Sequence, residues 1–230
     1  MPRPVHRIFG PARTGQIAAK PGNADQERPQ QQIDIRPLRR SELPIPAAEL
    51  ARFLIGKILV HDDPEGRMSG RIVETEAYVP GDAAAHSFRG RTRSNQSLFL
   101  ERGHAYVYFS YGAHYMMNVS AETPGVGGGV LLRGLEPIDG IELMRRNMEA
   151  NRLADITRGP GRLASAMRID KRFDGVDLCA PGPLWLGVAH TRAAPIGTSG
   201  RIGISREVHR QLRFYERGNP YVSGPKRMRE

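Results

Sequence analysis

A single cysteine, Cys179, is present, which excludes an internal disulfide and any metal site built on several thiolates. A lone thiol of this kind reads as a small buried hydrophobe. No stretch approaches the roughly 18 consecutive apolar residues of a membrane span, and the first residues lack the apolar core of a secretory signal. These absences lead to the expectation of a soluble, cytoplasmic protein with no membrane partner. Lysine is missing between Lys57 and Lys171, so that stretch offers no amine for imine chemistry. Repeats and a βαβ rhythm are also absent, which turns the reading towards a mixed domain with a mainly antiparallel sheet.

Positive charge, by contrast, is in excess. A formal net charge of +10 and a pI near 10.3 favour a polyanionic partner, either nucleic acid or anionic lipid. An apolar fraction of 39% is slightly low and implies that part of the chain stays unpacked. Residues 1–35, rich in Pro, Gln, Gly and charge and without a helix or strand period, are expected to be a disordered basic tail ahead of one folded domain at 36–226.

Within that domain, Leu50, Phe53 and Leu54 recur at helical spacing over 47–55, with Gly56 as a C-terminal cap. Lys57–His61 reads as a strand, 62–69 as a polar turn region, and Gly70–Val79 as the antiparallel partner strand. A long loop over 81–101 carries His86, Arg89, Arg91 and Arg93; a loop of this length is functional or disordered, and its cations favour phosphate contact. AYVYFS (105–110) and HYMMNVS (114–120) form a tight hairpin across Tyr111-Gly112-Ala113. Tyr111 is a large aromatic where turns use small polar residues, so it is either a stacking wedge or packed under a neighbouring loop. Arg133 lies in the apolar strand VLLRGL and needs a carboxylate or phosphate partner. A helix is expected over 138–148. Pro160 opens another, flanked by Arg158 and Arg162, as an anion site or an ordinary loop-to-helix junction. A further strand is expected at Arg201–Ile204.

The chemistry centres on Arg71–Val79, RIVETEAYV. Alternation along a strand places Ile72, Glu74, Glu76 and Tyr78 on one face and Val73, Thr75 and Ala77 on the other. Glu74 and Glu76 then lie about 7 Å apart by the rise per residue, within the range of an inverting sugar-hydrolase pair. Neighbours on one strand face cannot easily flank a scissile bond from opposite sides, however. Glu76, His86, His104 and His114 are potential metal ligands, but their spacing is not that of a strong site, so neither metal nor cofactor is expected. A base-excising hydrolase fits better. It needs a carboxylate to orient water and stabilise a sugar cation, aromatics to stack the extruded base, and a wedge to fill the gap. A nucleic-acid-binding module without catalysis remains the alternative, along with a carbohydrate hydrolase.

IVETEAY, AAHSFRGRTRSN, YVYFSYGAHYMMN, VLLRGLEP, GPGRLASAM and LRFYERGNPYVS, in this order from about Arg36 to Gly224, resemble the alkyladenine (3-methyladenine) DNA glycosylase family. The resemblance implies an α+β fold: one compact domain with a curved, mainly antiparallel sheet surrounded by helices. It also implies a metal-free, monofunctional enzyme that acts on damaged purines in double-stranded DNA and leaves an abasic site; the chain is expected to be a monomer. By motif position, Glu76 corresponds to the general base, and Arg133 to a cation near the catalytic water and a backbone phosphate. Tyr78, His86 and Tyr108 correspond to the stacking pocket, Asn118 to the residue that crowds a purine 2-amino group, and Tyr111 to the wedge. Arg89, Arg91, Arg93 and Arg158 are the expected DNA-binding cations. The loop after Tyr78 is a residue shorter than the mammalian pattern, and the glycine-rich run at 126–129 departs from it beside the pocket.

Overall fold

A computed structural model describes residues 33–110, 112–148, 152–189 and 194–225. The expected tail at 1–35 falls largely outside the described residues, as does Tyr111.

The strands, in chain order, are β1 (Arg36–Pro37), β2 (Ile58–Asp63), β3 (Gly66–Tyr78), β4 (Ala105–Ser110), β5 (His114–Ser120), β6 (Gly129–Asp139), β7 (Leu184–Val188), β8 (Ile196–Ser199) and β9 (Arg213–Glu216). The α-helices are α1 (Ala47–Leu54), α2 (Ile141–Met148) and α3 (Pro160–Ala166). All strand pairings are antiparallel, in the order β1-β7-β2-β3-β6-β5-β4, with β9 joined to β3 and β8 to β9. The expected α+β class with a mainly antiparallel sheet is therefore the observed one.

Helix α1 ends where its sequence says it should, with Gly56 at φ 84°. Its N-terminus is capped from a distance: Pro46 has no capping side chain, and the Ala47 amide donates instead to Glu122 Oε1 at 3.0 Å. Leu50 and Leu54 are fully buried against the sheet, each contributing roughly 1.5–3 kcal/mol of burial. Thr75 Oγ1 donates to Ala51 O at 2.8 Å, which fixes α1 on the core face of β3.

Strand β3 is the axis of the sheet and changes partner along its length. β2 pairs with its first part, from Gly66 to Arg71, while β9 pairs with Glu74–Glu76 on the far part; β6 runs along the other side. The pairing with β6 is irregular. Ile72 faces Leu135 and Thr75 faces Leu132, but Glu74 faces Gly134, so Val73 and Arg133 are each left over as bulged residues. Simple alternation fails there. Ile72 joins Ala77 in the main core, whereas Val73 packs with Tyr215, Tyr221 and Val222, near Glu74. Gly134 is required at this crossing because a Cβ there would lie 2.7 Å from the Tyr221 carbonyl oxygen.

Two further sequence expectations are corrected, and one strand is added. The turn expected at 62–69 is only Pro64-Glu65, since Asp63 pairs with Gly66 and both strands run on through polar residues. The strand expected at Arg201–Ile204 is irregular backbone; the strand lies just before it, at Ile196–Ser199. Strand β7, unremarked in the sequence, bridges β1 and β2.

Candidate active site

Residues directly opposite each other in an antiparallel pair project to the same face. Tyr106 faces Asn118, Asn118 faces Leu131, Leu131 faces Glu76 and Glu76 faces Arg213, so a single row of side chains crosses β4, β5, β6, β3 and β9. Above it lies a cavity of about 680 Å³, walled by Tyr78, Tyr106, Tyr108, Asn118 and Arg133 among others. This is the size range of pockets for small organic groups. Tyr106 and Tyr108 stack, with centroids 5.4 Å apart and planes at 24°, and the His86 ring meets Tyr108 at 4.4 Å. His86 Nδ1 lies 2.9 Å from the Tyr106 hydroxyl, tying the loop after β3 to the hairpin.

Behind the wall sit two carboxylates with no solvent exposure. Glu74 Oε1 accepts from Arg213 Nε at 2.6 Å, Ser223 Oγ at 2.9 Å and Arg133 Nε at 3.0 Å, and Oε2 accepts from the Ser223 amide at 2.6 Å. Glu76 Oε1 accepts from the Ile202 amide at 2.7 Å, and Oε2 from the Tyr78 hydroxyl at 3.0 Å and Arg133 Nη1 at 3.3 Å. Burial pushes both carboxyls upwards. For Glu74, the Arg133 and Arg213 guanidiniums and the Ser223 amide outweigh it, and its pKa falls below the usual carboxylate range. For Glu76, burial prevails over Arg133, the Ile202 amide and Tyr78, and its pKa is raised. Neighbouring carboxyls with pKa values driven apart are an acid-base pattern.

The profile of the methylpurine-DNA glycosylase family matches residues 41–220, most of the chain. The chain belongs to that family. It is 61% identical over 197 residues to a protein of Mesorhizobium japonicum named "Putative 3-methyladenine DNA glycosylase", covering 86% of this chain and 95% of the relative. Proteins of the same name from Paraburkholderia phytofirmans (53% identical; 86% of this chain, 92% of the relative) and Chlorobaculum tepidum (43%; 78% and 87%) are also similar.

In this glycosylase-family chain, Tyr78, Tyr108, Asn118 and Arg133 line one cavity, Glu76 lies behind it bonded to Tyr78 and Arg133, and His86 stands exposed at its rim. The Asn118 amide nitrogen is buried without a partner among the described residues. Arg89, Arg91 and Arg93 are exposed and make no ion pair among the described residues. Their loop is ordered by Asn95, whose side chain accepts from the Thr92 amide and donates to the His86 and Gly90 carbonyls, and by the buried Asp82–Arg201 ion pair at 2.5 Å. Arg158 differs: it is held by Asp155 at 2.5 Å, as is Arg162 at 3.3 Å, and the Gly159 amide is taken by Arg133 O. At the junction before α3 the Gly159 amide and both guanidiniums are thus engaged within the protein. Of the described lysines, Lys57 lies over the Phe53 ring and Lys171 is tied to Asp174 and Val107 O; neither lines the cavity.

Sequence reasoning missed Tyr106, although it shares a face with Tyr108 by alternation. It also missed the segment Ile202–Arg206, which lines the cavity and whose first amide holds Glu76. Arg201, 4.6 Å over the Tyr78 ring, was likewise unmarked.

Proposed function

We propose that the protein is a monofunctional DNA glycosylase, with residues 36–226 as its catalytic unit, that extrudes damaged purines from duplex DNA and hydrolyses the N-glycosidic bond with a Glu76-activated water. The observation that carries this reading is a buried, high-pKa carboxylate set immediately behind an aromatic cavity through Tyr78 and Arg133. A carboxylate has about four acceptor positions, and three donors reach Glu76, which leaves one for a water proton. The water oxygen bonds to the sugar C1′ and its proton passes to Glu76. The glycosidic electron pair leaves with the base, and the carboxylate lies where positive charge develops on the sugar. Arg133, braced by Glu74 and Ser223, keeps Glu76 in register.

The base stacks against Tyr78, His86 and Tyr108, Asn118 tests its edge, Tyr111 fills the gap, and Arg89, Arg91 and Arg93 grip backbone phosphates. The experiment is excision from a duplex with one hypoxanthine, read as alkali-labile abasic sites. Glu76→Gln should lose roughly 10²–10⁴ in rate while still binding abasic-site DNA, because an amide keeps the shape but cannot accept the proton. Activity within about tenfold of wild type would sink the assignment.

A further inference from the structure

The segment after β8 is fixed at one end and free at the other. Arg201 is anchored by both Asp82 oxygens and by Ala77 O, and the Ile202 amide is committed to Glu76. From there the chain runs along the cavity mouth as Gly203–Arg206, and the amides of these residues donate to no described residue. Arg206 is exposed, lines the cavity and has no carboxylate partner among the described residues. Arg158 and Arg162, which flank another lining residue, Pro160, share Asp155 as their ion-pair partner. Arg206 differs from them in having no carboxylate within ion-pair reach among the described residues. A guanidinium beside consecutive unengaged amides is the donor set of a phosphodiester site.

We infer that the Gly203–Arg206 lip binds a backbone phosphate of the strand that carries the damaged base, next to the extruded nucleotide. The inference rests on the glycosylase reading above. It adds a direct link, because the segment that holds the phosphate also holds Glu76 through Ile202. Gripping the strand and positioning the base are then one act.

The test uses the full chain and a duplex oligonucleotide with a stable abasic-site analogue, titrated between about 50 and 200 mM salt. Removing one phosphate contact reduces the magnitude of the log–log slope by about 0.9, so Arg206→Ala should show that reduction. Affinity at the lower salt should weaken by about tenfold, as expected for a charged hydrogen bond. Arg206→Lys should restore the slope, and Arg172→Ala, whose side chain is bound to Asp170, should leave it unchanged. A wild-type slope in Arg206→Ala overturns the inference, as does a loss of affinity that comes with a lower melting temperature. A wild-type protein with no salt dependence and no excision would instead overturn the glycosylase reading itself.

Discussion

Glu74 and Glu76 are the same residue type on the same strand, both buried, and differ only in who reaches them. Glu74 meets two guanidiniums and two groups of Ser223 and is locked as an anion; Glu76 shares one guanidinium and keeps a raised pKa. The working form of a base is the ionised one. Excision should therefore fall as pH drops through a pKa above the ordinary glutamate value of about 4.3, giving the acid limb of a kcat/KM profile. The charge on Glu74 raises the Glu76 pKa and engages Arg133, so Glu74→Gln should move that limb to lower pH. It should cost less activity than Glu76→Gln but more stability, about 3–5 kcal/mol, since it leaves buried guanidiniums short of a counter-charge. A limb that stays in place would reduce Glu74 to a mechanical brace.

Among the elements, the hairpin β4–β5 was legible from its residues alone: aromatic alternation, a short connection, and a register that pairs Ser110 with His114. Its wedge can be tested there. Tyr111→Ser should leave the melting temperature intact and lower excision from duplex DNA by the lost stacking, about 1–3 kcal/mol, while a single-stranded lesion suffers less. Equal damage to both substrates with a lower melting temperature would make Tyr111 a packing residue. The alternation of Glu74, Glu76 and Tyr78 was equally readable. The paired bulge at Val73 and Arg133 was not; it adjoins Gly134, where the Tyr221 carbonyl, distant in sequence, leaves no room for a Cβ. The lip at Ile202–Arg206 has no period at all; its place comes from Asp82 and Glu76, to which Arg201 and Ile202 bind. Short-range pattern thus locates the central strands and the face that carries Glu74 and Glu76, while the loops that close the site are set by tertiary partners.

For the whole molecule, the net charge of +10 is a statement about encounter as much as affinity. Binding to undamaged duplex should weaken steeply between about 50 and 200 mM salt, and a log–log slope near zero would argue against DNA as the partner. The split pairing of β3 bears on how such a chain is made. Synthesis is vectorial, so β3, β6 and the cationic loop leave the ribosome well before Arg213–Glu216 and Ser223. Until those residues emerge, Glu74 lacks Arg213 and Ser223 and the strand edge at Glu74–Glu76 has no β9 beside it; the Ile202 amide that reaches Glu76 comes only shortly before them. Positive charge is thus present along the chain from early in synthesis, whereas the bonding of the two buried carboxylates is completed only by residues from Ile202 onwards.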